Sequence, residues 1–130
     1  MDTNMILRTG ATNLTADETL TTICIGPMNR PMWIHVVTDA ASEASDTLDV
    51  EIELCTAAAT TTQVANINCP QMDVSVDSVV MNFPFFAPPG LTYAQVKLNI
   101  TDNDAGGDFN AGGVKVWIDN SGRYDGPYDS

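Results

Sequence analysis

One stretch, Leu48-Asp49-Val50-Glu51-Ile52-Glu53-Leu54, constrains the fold of this chain more than any other. Its apolar residues all share one parity and its acids the other. At the two-residue period of a strand this makes one dry face and one wet face. On a helix the same residues would scatter around the circumference. Ala94-Gln95-Val96-Lys97-Leu98-Asn99-Ile100 repeats the pattern. So does Val114-Lys115-Val116-Trp117-Ile118-Asp119, where Trp117 takes the outer parity beside Lys115 and Asp119.

The rest of the chain reads the same way. Pro31 to Thr38 is a more fully buried strand, because Met32, Trp33, Ile34, Val36 and Val37 leave little wet face. Glu18 to Ile25, Met72 to Val76, Val79 to Phe86 and a short Met5 to Thr9 add further strands. Pro84 has no N–H for a ladder bond, so its strand belongs at a sheet edge or contains a bulge. Of Phe83, Phe85 and Phe86 around it, ordinary core packing is the expectation. Ala87-Pro88-Pro89-Gly90 and 102–107 are turns, 39–46 is a small-residue loop with room for one helical turn, and the Ala/Thr-rich 55–62 is a loop. Strong helix formers are scarce, with Lys only at Lys97 and Lys115, while Thr, Val, Gly and Pro are plentiful. About eight short strands with no helical period imply an all-β fold, a single antiparallel β-sandwich of Greek-key or jelly-roll type. A chain of 130 residues suits one domain. The sandwich is expected over 1–119, followed by an acidic, tyrosine-containing tail over 120–130.

Charge narrows the function classes. Five Lys and Arg against 17 Asp and Glu leave a formal charge of -12. Binding nucleic acid without sequence preference needs clustered cations to neutralise phosphates, so that partner is not expected. An anionic membrane surface is disfavoured for the same reason, and no apolar run approaches the ~20 residues of a membrane helix. With 44% hydrophobic residues the chain is nonetheless no disordered acidic polymer. Met1-Asp2-Thr3-Asn4 lacks the basic region and apolar core of a signal peptide, which implies synthesis in the cytosol. On that reading the sequons at Asn13 and Asn99 are chance matches.

Catalytic chemistry finds little support. The lone histidine, His35, sits within an apolar strand and reads as a satisfied sheet residue rather than a general base. No nucleophile elbow, phosphate loop or dinucleotide fingerprint is present. Glu51 and Glu53 read as a solvated strand face. The odd cysteine count (Cys24, Cys55, Cys69) favours reduced thiols in or near the core over a Cys55–Cys69 bridge. No Cys or His pair has zinc-ligand spacing. Asp102, Asp104 and Asp108 place oxygen ligands around glycines, as at the start of a calcium loop, but the twelfth position is Gly113 instead of a bidentate Glu. An ordinary Asp/Asn/Gly turn is the preferred reading; otherwise no cofactor is expected. An unchanged melting temperature on removing divalent cations would dispose of the calcium reading.

Three segments carry a resemblance: 47–53, with its Leu48-Asp49-Val50 core; Asn82-Phe83-Pro84-Phe85-Phe86 on to 93–101; and Phe109 to Ile118 with its Gly113-Val114 strand entry. Together with the opening 8–15, this order resembles small structural proteins of tailed-bacteriophage virions, the head decoration (cement) proteins among them. The region 55–77 and the longer acidic tail depart from that pattern. The resemblance implies a non-enzymatic β-sandwich, made in the host cytoplasm. It would attach to the outside of the shell, bind the major capsid protein and brace neighbouring capsomers, often as a homotrimer. Terminal segments that cannot bury themselves often find order on a partner, which makes Asp2 to Arg8 and Arg123, Tyr124 and Tyr128 the expected contacts, with Trp117 next. Two other readings stand beside it. One is a carbohydrate-binding or adhesion module using Trp117 and nearby tyrosines; the other is a tail or baseplate structural protein.

Overall fold

The computed structural model describes residues 6–25, 31–42, 46–57, 63–102 and 108–119. The strands, in chain order, are β1 (Ile6–Thr9), β2 (Glu18–Thr19), β3 (Ile23–Cys24), β4 (Met32–Val37), β5 (Thr47–Cys55), β6 (Gln63–Asn68), β7 (Met72–Asp73), β8 (Val80–Phe85), β9 (Tyr93–Thr101) and β10 (Lys115–Asp119). They form two antiparallel sheets, ordered β1-β10-β4-β8 and β2-β9-β5-β6, with β3 also on β9 and β7 also on β5. No helix occurs among the described residues.

Among the described residues, ten strands occupy eight lines. β2 and β3 lie one after the other along the same side of β9, and β6 and β7 do so along β5. The alternation around Glu18 to Ile25 is mixed, and the line breaks between Thr19 and Ile23. The strand expected over Met72 to Val76 shortens to two residues for a different reason: Asp73 turns its carboxylate onto the Ser75 N–H and ends the ladder. The eight lines pair as nested rungs: β1 with β10, β2 and β3 with β9, β4 with β8, and β5 with β6 and β7. One long hairpin whose tip is the β5–β6 connection, rolled until β10 meets β4 and β9 meets β5, produces this order. It is the jelly roll, two Greek keys wound into a sandwich.

The inner faces interdigitate as the alternation requires. Ile34, Val36, Val116 and Ile118 from one sheet meet Leu48, Val50, Ile52, Leu54, Val96 and Leu98 from the other, all essentially without solvent contact. Each such side chain contributes about 1.5–3 kcal/mol of transfer free energy. Leu14 and Ala111, joined by two backbone hydrogen bonds, plug one part of this core.

β8 is an edge strand, one of the two placements Pro84 allows. The Thr38 N–H donates to the Val79 carbonyl. In an antiparallel ladder this turns the backbone groups of residues 79, 81, 83 and 85 toward β4 and those of 80, 82 and 84 outward. Pro84 therefore lacks an N–H where no ladder bond is made. Core packing holds for Phe85, which is buried, and Phe83, which is partly buried; Phe86 is 49% exposed.

Cys55 and Cys69 are free thiols, and the register explains why. The Cys69 N–H bonds to the Val50 carbonyl, which sets Cys69 five residues along β5 from Cys55. Cys69 belongs to the intersheet core and Cys55, buried, lies outside it. The tail 120–130 lies outside the described residues.

Candidate functional site

Arg8 and Trp117, expected as partner contacts, are both buried. The Arg8 guanidinium makes a two-pronged contact with Glu18, Nε to Oε1 at 3.0 Å and Nη2 to Oε2 at 3.1 Å. Its Nη1 donates to the carbonyls of Thr12 and Val114 at 2.8 Å each, and Nη2 reaches the Asn13 carbonyl at 3.2 Å. The planar fork thus ties β1, the turn after it, β2 and the entry to β10. The buried contact with the Val114 carbonyl gives the fork a partner at its inner end, and this holds the cation inside.

Trp117 does leave its strand on the outer face, as the parity of β10 indicates, but that face is closed over it. Alternation says which face a side chain leaves by and nothing about what flanks it. On neighbouring strands Trp117 has Ile6 and His35 directly opposite, and it stacks on the His35 imidazole with centroids 5.0 Å apart. His35 Nε2 donates to Asp119 Oδ1 at 2.8 Å, and Nδ1 lies 2.5 Å from Asn82 Oδ1. The imidazole is fully buried and both of its nitrogens are engaged within the sheet. This cluster spans β10, β4 and β8, and its members are far apart in sequence. Only the wet-parity position of Trp117 and the oddity of a histidine in an apolar strand hinted at it.

The outer face of the other sheet is acidic but not uniformly solvated. Glu53 is buried and pairs with Lys97 Nζ at 2.8 Å, a diagonal contact, since Lys97 sits directly across from Glu51. The pairing, foremost the Glu53 hydrogen bond, holds the Lys97 ammonium above its ordinary pKa. Glu53 and Glu51 thus part company: one carboxylate is neutralised and the other half-exposed. Burial pushes the Cys69 thiol up to about 12. Cys55 is raised too, by burial first and the Glu53 carboxylate second, so neither thiol is activated as a nucleophile.

Asp102 and Asp108 do come together. They line a cleft of about 410 Å³ with Thr15, Ile100, Phe109 and Asn110. Backbone bonds to side chains shape its rim: the Ile100 N–H donates to Asp17 Oδ1 and the Asn110 N–H to Ser42 Oγ. Asp104, the middle member of the suggested calcium loop, lies outside the described residues, as do Asp2, Arg123, Tyr124 and Tyr128. Among the described residues no three His, Cys, Asp or Glu side chains are grouped for a metal ion.

A surface feature escaped the sequence reading. Of the large apolar side chains among the described residues, Val76, Val80 and Phe86 are the exposed ones, and all lie on or beside edge strand β8. The signal was present: residues 78–96 contain no charged side chain, on a chain of net charge -12. No family model, no curated protein and no solved structure matches this chain.

Proposed function

We propose that this chain is a non-enzymatic virion structural protein, a decoration protein that docks on the outside of an assembled phage head and braces neighbouring capsomers. The observation that carries the reading is the strand order. The segments bearing the resemblance, 47–53, 82–101 and 109–118, supply β5, β8, β9 and β10, the frame of a jelly roll. Viral capsid and lectin domains both use that architecture. The lectin alternative relied on Trp117 and nearby tyrosines; Trp117 is buried, and Tyr124 and Tyr128 lie outside the described residues.

The remaining chemistry supports a scaffold. The strongest polar groupings, Arg8 with Glu18 and His35 with Asp119 and Asn82, tie strands to one another. A cement protein must be soluble before docking, which the large net charge favours, and its acidic skin repels packaged DNA. Its partner is the major capsid protein, through basic or apolar surface, and affinity accrues by repeated contact across a symmetric lattice.

Particles assembled without this protein are expected to release DNA at lower temperature than complete ones, with purified protein restoring the difference. Equal thermal resistance of depleted and complete particles would count against the proposal. A specific glycan-array signal together with that result would return the sugar-binding reading.

A further inference from the structure

We propose that two copies of this chain associate through β8, antiparallel about Phe83, joining their four-stranded sheets edge to edge. Three independent observations lead there. First, β8 ends its sheet among the described residues, so the N–H groups of Val80 and Asn82 and the carbonyls of Val80, Asn82 and Pro84 point away from β4 with no described strand beside them. Second, the two exposed large apolar residues of this edge, Val80 and Phe86, stand three positions either side of Phe83. Antiparallel pairing about Phe83 sets Val80 opposite Phe86 of the second copy, and Phe86 opposite its Val80. Third, residues 78–96 are uncharged. Two molecules of charge -12 can meet along this edge without bringing like charges into contact.

The hydrogen-bond pattern selects the same register. About Phe83, the Asn82 N–H faces the Pro84 carbonyl of the second copy, and extending β8 by one residue on pairing sets the N–H groups of Val80 and Phe86 against the carbonyls of Phe86 and Val80. Only the donor that Pro84 lacks is missing. Moving the axis to Met81 or Asn82 carries Phe86 to or past Ser78, whose φ of 59° ends the strand, and those bonds are lost. A proline on an edge usually protects it from indiscriminate pairing. Here it leaves one register with apolar partners and nearly complete bonding. The interface is isologous and therefore closes as a dimer. It does not depend on the virion reading.

Sedimentation equilibrium of the full chain over a range of concentrations tests this. Wild type is expected to pass from monomer to dimer. Val80→Glu with Phe86→Glu is expected to weaken association more than about tenfold while leaving the circular dichroism spectrum unchanged, since both side chains are exposed. Register is read separately in a Cys24→Ser background: Val80→Cys with Phe86→Cys is expected to give a covalent dimer on oxidation, and Val80→Cys alone is not. A chain that stays monomeric, a trimer, a dimer indifferent to the glutamates, or a cross-link from Val80→Cys alone would overturn the proposal.

Discussion

Arg8 shows how much one side chain can hold. Its five donors satisfy Glu18 and carbonyls of two separate segments, Thr12-Asn13 and Val114, so Arg8→Met strands a half-buried carboxylate and a buried acceptor. A loss of about 1–3 kcal/mol is expected in urea unfolding, and Arg8→Lys is expected to recover little because an ammonium cannot reproduce the fork. A loss below about 1 kcal/mol would mean that the clamp is ornamental. Cys69 sets an alkaline limit. Its folded-state pKa of about 12 exceeds the ordinary value of 9.0, so the unfolded chain loses this proton first. Stability is therefore intact below pH 9 and falls as pH rises toward about 12. Cys69→Ala is expected to flatten that decline, and native protein at pH 9 is expected to be alkylated at exposed Cys24 and not at Cys69. Gly113 has a φ of +59°, and a Cβ there would lie 2.5 Å from Asp39 Oδ2, the carboxylate that pairs with Lys115. Gly113→Ala is expected to cost about 1–3 kcal/mol by thermal unfolding.

At the scale of elements, the legible strands were those with one wet and one dry face. β5, β9 and β10 could be read from alternation alone, and Pro84 limited β8 to an edge or a bulge, of which the sheet order shows the edge. β6 was missed. Ala65 and Ile67 face inward while Asn66 and Asn68 face outward, but the run is short and Asn is a poor strand former, so the alternation does not stand out after the Ala/Thr-rich stretch. The buried polar and aromatic groupings were legible only as parity. Trp117 lies on the outer parity as expected and is buried there, which alternation along its own strand cannot show. Arg8 was out of reach for a similar reason: Val114, one of its acceptors, lies 106 positions away. Pro84 offers a test of the edge itself. Pro84→Ala supplies the missing N–H on the outward side, so it is expected to leave monomer stability nearly unchanged and to tighten β8 association several-fold in the same sedimentation assay. Weaker association would contradict the proposed register.

For the whole molecule, the charge of -12 separates two kinds of contact. Association of like-charged copies along the uncharged edge is expected to strengthen as added salt screens the remaining repulsion. Docking of an acidic protein onto basic capsid surface is expected to weaken under the same change. The jelly roll ties its strands together with buried polar groups and leaves most of the described acids exposed or half-exposed, Asp46 and Glu53 excepted. The central claim is that this frame is a part of a virion shell, and binding to shells tests it most directly. Purified protein added to heads depleted of it should co-sediment and saturate at a fixed ratio to the major capsid protein, with binding reduced by salt. Failure to co-sediment with depleted heads at any ratio would contradict the account.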